Sequence, residues 1–285
     1  MWAAGPPNAV TPSRRNSPAS SPRDPRLVTA GFYTVGLTPH CYDGAMLKVE
    51  LHTHTADDPE DFVPHTVERL VDRVAELGYD AIAITLHNRQ LDVEPYRDYA
   101  RSRHIVLIPG VERSIVGCHT LLINFPAAAA EAVHTFDDLA TLRTESDGLV
   151  IAPHPYFPVP SCLRQELDRH PDLFDAVELH ALYSRRIDFN RRALAWARAH
   201  GKPLVGNGDI HRLGQLGTTW SLVDAEPDPA AICAAIKAGR VDVRTEPVSF
   251  PRMLYLLATV IPSGILHHSA SVVPGEARCA TRCSV

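Results

Sequence analysis

Eight residues carry the chemistry of this chain. Two histidines stand two apart, His52 and His54. Single histidines follow at His87, His119 and His154, with Glu112 among them. Asp209 and His211 close the series, again two apart. Histidine is a frequent metal ligand, and a carboxylate such as Glu112 can bridge two cations. Mixed nitrogen and oxygen donors suit zinc, manganese or iron, and the series contains no thiolate. A lone histidine or a lone H-x-H carries little weight. Ligand-type residues that recur just after apolar strands carry much more.

The elements that must position these residues alternate along the chain. Met46–Leu51, Ala81–Ile84, Ile105–Ile108, His119–Asn124, Leu149–Ala152, Ala176–Leu179 and Leu204–Val205 read as short buried strands. Val67, Leu70, Val71, Val74 and Leu77 recur at helical spacing, and Gly78 ends that helix. Thr135-x-x-Asp138 reads as a capping box. Residues 187–200 and 229–238 are predicted helices, each followed by a glycine. Strands alternating with helices imply a parallel sheet, and this many units over some 200 residues predicts an α/β barrel. In such a barrel the C-terminal strand ends converge on one face, so residues distant in sequence meet there.

The chain has 285 residues, with 45% hydrophobic and 21% charged, ordinary values for a globular protein. Histidine is the outlier at 15 residues. A net charge of −5 gives no global field for nonspecific nucleic-acid binding. None of the six cysteines forms a C-x-x-C pair, which excludes a zinc ribbon and argues against a disulfide scaffold. With no apolar signal core at the start, a cytoplasmic location is expected. No apolar run reaches membrane-spanning length, so no membrane partner is expected. Residues 1–45 are rich in Pro, Ser, Ala and Arg and read as a disordered extension. Residues 46–250 read as the domain that carries the ligand-type residues, and 251–285 as a tail without a clear assignment.

The segments V-E-L-H-T-H-T, G-Y-D-A-I-A-I-T-L-H-N, V-L-I-P-G-V-E, G-L-V-I-A-P-H-P and G-N-G-D-I-H, in this order, resemble the polymerase and histidinol phosphatase (PHP) family of metal-dependent phosphoesterases. The resemblance spans about residues 47–245. It implies a distorted (β/α)7 TIM-like barrel of the PHP type, holding two or three divalent ions (Mn, Zn or Fe). It implies that His52, His54, Glu112 and Asp209 hold a first ion. Glu112 would bridge to a second ion on His119 and His154, and a third would take His87 and His211. The last ligand of the third ion falls where the family usually has S-D-G and this chain has A-D-D-P. Asp57 and Asp58 compete there, Asp58 is favoured, and His65 is a weaker substitute. Many members read T-D-H where this chain has Thr85-Leu86-His87, so an acidic partner for His87 is missing from that segment.

The expected activity is hydrolysis of a phosphomonoester or short nucleotide by hydroxide generated on the metal. Small phosphorylated substrates, a nucleotide or an oligonucleotide end among them, are the expected partners. His180 is a candidate catalytic residue, and Arg185 a candidate phosphate binder by its capacity for bidentate hydrogen bonds. Glu178 is a candidate to orient a ligand histidine. The alternatives are a histidinol phosphatase, a protein-tyrosine phosphatase of the same fold, and a non-enzymatic metal-binding interaction module.

Overall fold

The structure is a computed structural model and describes Met1, Tyr33–Thr34, residues 46–256 and Ala258. Among the described residues, ten strands form one sheet: β1 (Tyr33–Thr34), β2 (Leu47–Thr53), β3 (Ala81–His87), β4 (Val106–Ile115), β5 (Cys118–Ile123), β6 (Leu149–Ala152), β7 (Ala176–His180), β8 (Leu204–Asn207), β9 (Thr219–Val223) and β10 (Val241–Thr245). The helices are α1 (Val67–Glu76), α2 (Arg97–Ser102), α3 (Ala127–Glu131), α4 (Phe136–Glu145), α5 (Gln165–Arg169), α6 (Asn190–Ala199) and α7 (Pro229–Lys237). Residues 250–256 are also helical. No described helix is long and apolar enough to cross a membrane.

The sheet order is β1-β10-β9-β2-β3-β4-β5-β6-β7-β8. The pairs β2–β3, β3–β4, β6–β7 and β7–β8 are parallel, as the alternating pattern predicts. The pairs on either side of β5 are antiparallel. The reason is local. Only Val116 and Gly117 separate β4 from β5, and two residues allow a hairpin but no parallel crossover. Both have positive φ, 50° and 76°, the conformation that a tight hairpin turn requires. β9 and β10 were not foreseen from the sequence. They alternate buried and half-buried residues and run antiparallel to each other and to β2. Tyr33 and Thr34, which the sequence reading puts in the N-terminal extension, pair with β10. The remainder of that extension after Met1 lies outside the described residues, as does nearly all of 257–285.

The sheet curls until β8 returns to β2. One hydrophobic cluster draws on every strand from β2 to β10 and is the barrel interior. Ile232, Cys233, Ala235 and Ile236 of α7 join it beside Val49, Ala81, Leu149 and Ala176, at the N-terminal strand ends. One end is thereby plugged with apolar side chains. A second cluster lies under α4 and α6, and a third under α1 and α2.

The seam between β8 and β2 closes mainly through side chains. The Leu51 amide donates to Asn207 Oδ1 at 3.1 Å. The Gly208 amide donates to both carboxyl oxygens of Glu50 at 3.1 Å. Ser221 Oγ accepts from the Gly206 amide at 2.9 Å. Beyond the seam, the Ile210 amide donates to the His52 carbonyl at 3.0 Å, and the His54 amide to the Ile210 carbonyl at 3.1 Å. Closure therefore brings His54 and His211 together across a long stretch of sequence.

Candidate metal centre

The sheet delivers the chemistry to the barrel end opposite α7. His52 lies near the end of β2, and His54 just after it. His87 and His180 end β3 and β7, and Glu112 lies late in β4. His119 opens β5, which runs the other way and so starts at the same mouth. His154 follows β6, and Asp209 and His211 follow β8. Leu51 belongs to the barrel interior, yet the adjacent His52 also reaches the mouth. Regular alternation would put these neighbours on opposite faces, and a register shift in β2 between Glu50 and Thr53 removes the conflict. Asn88, His154 and Asp209 take positive φ values of 54°, 27° and 48°. Such backbone is costly outside glycine and clusters at functional sites.

Glu112, almost fully buried, is the hub. Its Oε2 lies 3.2 Å from His52 Nε2, 3.4 Å from His54 Nε2 and 3.2 Å from His87 Nε2. Its Oε1 lies 2.7 Å from His119 Nδ1 and 3.2 Å from His154 Nε2. Asp209 Oδ1 lies 3.4 Å from His52 Nε2, 3.3 Å from His54 Nε2 and 3.2 Å from His211 Nδ1.

Carboxylates behind the rings fix their orientation. His52 Nδ1 is 2.9 Å from Glu178 Oε2, and Glu178 also accepts from Asn207 Nδ2 and the His154 amide. His54 Nδ1 and His87 Nδ1 share Asp58 Oδ2, at 2.8 and 3.0 Å. Asp58 thus supplies the acidic partner that T-L-H lacks. It stands behind two rings rather than among the inward-facing donor atoms. Asp58 Oδ1 accepts from the Glu60 and Asp61 amides, both at 2.9 Å, and this turn brings Asp61 Oδ2 within 2.9 Å of His211 Nε2. Asp61 was not singled out from the sequence. The only signal for it is its place in the acidic run D-D-P-E-D.

With Nδ1 protonated toward a carboxylate, each Nε2 of His52, His54 and His87 presents a lone pair to Glu112. Lone pairs facing carboxylate oxygens repel unless a cation or proton lies between them. His52 Nε2, His54 Nε2, both nitrogens of His119 and Asp209 Oδ1 are buried and have no hydrogen-bond partner among the described residues. Orphaned groups of this kind need an explanation, and a bound ion is one. Three sets have donor atoms close enough to share an ion: His52, His54, Glu112 and Asp209; His87, Glu112 and His119; and His54, His87 and His211. The donor chemistry and the convergence of unpaired atoms both fit divalent cations.

The electrostatics agree. Burial would lower the pKa of His52, but Glu112, Asp209 and Glu178 overcome it and push it up to about 10. Burial would raise Glu112 and Asp209, yet the surrounding histidines hold both well below the usual carboxylate range. A field that favours protons on the rings also favours metal cations.

The other sequence candidates divide. His154 touches Glu112, but its Nδ1 faces Cys162 Sγ at 3.5 Å, and the close-spaced set around His119 takes His87 instead. His180 Nδ1 accepts the Leu182 amide at 2.9 Å, and its Nε2 lies 3.6 Å from Asp209 Oδ2. Asp57 stays off the cluster; it accepts from Thr55 Oγ1 at 3.2 Å. His65 is buried with both ring nitrogens unpartnered among the described residues, and burial brings its pKa down to about 4. Arg185 is exposed on the loop after β7.

A family model described as PHP-associated matches residues 188–241, from the start of α6 into β10. Among solved structures, the chain is similar to a two-domain protein from Bacteroides vulgatus containing a predicted PHP-like metal-dependent phosphoesterase. Identity is 18%, with 75% of this chain and 69% of that one covered, at a TM-score of 0.55. It is also similar to PsfC from Pseudomonas syringae, at 16% identity, covering 80% of this chain and 100% of that one, with a TM-score of 0.53. No curated protein matches the sequence. At these identities the likeness is one of fold, and it coincides with the motif order along the chain. The chain folds as an α/β barrel similar to that of the PHP-like neighbour, and its residues 188–241 match the PHP-associated model.

Proposed function

We propose that this protein is a metal-dependent phosphoesterase acting on a phosphomonoester or short nucleotide. The observation that carries the reading is Glu112, a buried carboxylate facing five imidazoles whose inward nitrogens largely lack other partners. The similarity of the fold to that of a PHP-like phosphoesterase points the same way. His52, His54, Glu112 and Asp209 would hold one ion, and Glu112 with His119, His87 and His154 a second. A third would sit on His87 and His211, with Asp61 as the acidic ligand and Asp58 orienting the rings. Manganese, zinc or iron suits these donors. Such ions supply Lewis-acid polarisation of phosphoryl oxygens and ionise water near neutral pH.

The chain's own residues do the rest. Glu178 and Asp58 hold the histidine rings so that little reorganisation is needed when substrate arrives. His180 accepts the Leu182 amide at Nδ1, so its neutral ring carries the proton on Nε2, at the edge of the cluster. From there it can donate a hydrogen bond, or the proton itself, to the departing alkoxide. Arg185, further along the same loop, is the proposed phosphate contact at that rim. The test is elemental analysis of protein reconstituted with Mn, Zn or Fe, paired with phosphate release from a panel of phosphomonoesters and nucleotides. More than one ion per chain and metal-dependent release are expected. Trace metal only, or release that survives chelation, would overturn the reading.

A further inference from the structure

The turn after β8 carries two of the proposed ligands, Asp209 and His211, with Ile210 between them. Its edge toward β2 is held by backbone: the Ile210 amide donates to the His52 carbonyl, and the Ile210 carbonyl accepts the His54 amide. Three further polar groups of the same turn bond one side chain, that of Gln215. Its Oε1 accepts the His211 amide at 3.0 Å and the Arg212 amide at 2.7 Å. Its Nε2 donates to the Asp209 carbonyl at 2.8 Å and, less closely, to the Gly208 carbonyl at 3.5 Å. Gln215 is buried.

A primary amide offers the same acceptor and donor as a peptide group. Placed against the turn, Gln215 does for it what a second neighbouring strand would do, and buried backbone groups need such partners. The turn has reason to need a brace. Asp209 holds φ at 48°, a conformation that is costly outside glycine. In that conformation its carboxylate lies 3.4 Å from His52, 3.3 Å from His54 and 3.2 Å from His211. Gln215 also caps the short 3-10 turn Leu213–Gln215 through the Arg212 amide. A cap requires that bond alone. The bonds to Asp209 and His211 go beyond it, and both fall on ligand residues.

We infer that Gln215 is a positioning residue of the metal centre, holding the main chain of Asp209 and His211 so that both side chains meet their ions without rearrangement. The inference rests on the metal-binding part of the proposed function. Glu178 and Asp58 act through imidazole rings, whereas Gln215 acts through the backbone. One amide thereby couples the ion proposed on Asp209 to the ion proposed on His211.

The test is calorimetric titration of Mn2+ into the full chain freed of metal, with thermal midpoints measured on the same samples. Gln215→Met keeps most of the side-chain volume and removes both hydrogen-bonding functions. Gln215→Asn keeps the amide and withdraws it by one methylene. Asp228→Ala is the control, because Asp228 caps α7 at the plugged end of the barrel, accepting the Ala230 and Ala231 amides at 2.9 and 3.0 Å. All three variants are expected to lower the thermal midpoint. Only the Gln215 variants are expected to weaken Mn2+ binding, about ten- to a hundredfold for the ions on Asp209 and His211, with the ion count at saturation intact. Wild-type affinity in Gln215→Met, or in Gln215→Asn where Gln215→Met does not fold, overturns the assignment and leaves Gln215 a stabilising cap. Wild-type protein that binds Mn2+ but releases phosphate from no ester overturns the phosphoesterase reading alone, and wild-type protein that binds no metal overturns both.

Discussion

Glu178 receives the Nδ1 proton of His52 at 2.9 Å from the side of the ring opposite Glu112. One imidazole is thereby held between two buried carboxylates, one orienting it and one sharing its open nitrogen. If the ring turned away, Glu178, which is fully buried, would keep only Asn207 Nδ2 and the His154 amide as donors.

Glu178→Gln is therefore expected to weaken metal binding about ten- to a hundredfold while leaving the ion count at saturation intact. Equilibrium metal titration measures this. Unchanged affinity would show that His52 is held by packing alone.

Glu112→Gln removes the charge shared by the proposed ions while keeping the side-chain volume. At least one ion should be lost, and phosphate release should fall on the order of a hundredfold or more. Circular dichroism should change little, because the apolar cluster of β2 to β10 and α7 does not include Glu112. Full metal content with near-normal turnover would remove the bridging assignment.

Asp58 and Asp61 are separable by the same measurement. Asp61→Asn should lower the ion count by one, because Asp61 meets His211 at the cluster edge. Asp58→Asn should lower affinity without lowering the count at saturating metal, because Asp58 acts through His54 and His87. The opposite pattern would make Asp58 the ligand.

Glu50 sits in the seam, and burial pushes its carboxyl up from 4.5 to about 8. In the unfolded chain it ionises near 4.5, whereas folded it keeps its proton to about 8. The folded state then binds the extra proton across that window. Its contribution to stability is present below pH 4.5 and is lost progressively as pH rises toward 8. Glu50→Gln keeps an acceptor for the Gly208 and His52 amides and cannot ionise. Urea midpoints at pH 5 and pH 9 should show wild type losing stability at the higher pH and the variant losing less. Equal losses would refute the linkage.

Gly206 tests the closure itself. A Cβ there would stand 2.7 Å from Val243 Cγ1 and 2.9 Å from the Trp220 carbonyl. Backbone cannot yield as a flexible side chain can, so Gly206→Ala should cost about 1 to 3 kcal/mol. A thermal midpoint within a degree of wild type would show that the seam gives way easily.

The sequence by itself determined the β/α alternation, the strand-end placement of His52, His54, His87, Glu112, His154, Asp209 and His211, and the PHP resemblance. These are legible because each strand is a short apolar run and each ligand-type residue follows within a few positions. Glu178 was legible too, since V-E-L-H puts a carboxylate on the same strand face as His180. The roles of Asp58 and Asp61 were not. Both lie in a loop without periodicity, and which carboxylate lies behind a ring and which beside it depends on a turn closed by Asp58's own side chain. The added strands β9 and β10 were also beyond local reading, because β9 finds its partner β2 far away in sequence, whereas the reversal at β5 has a local cause in the two-residue turn Val116-Gly117. Closure of the barrel is the clearest case. Asn207 meets Leu51 and Ile210 meets His52 only after every intervening strand is in register, so tertiary structure alone decides that two distant pairs of ligands form one centre.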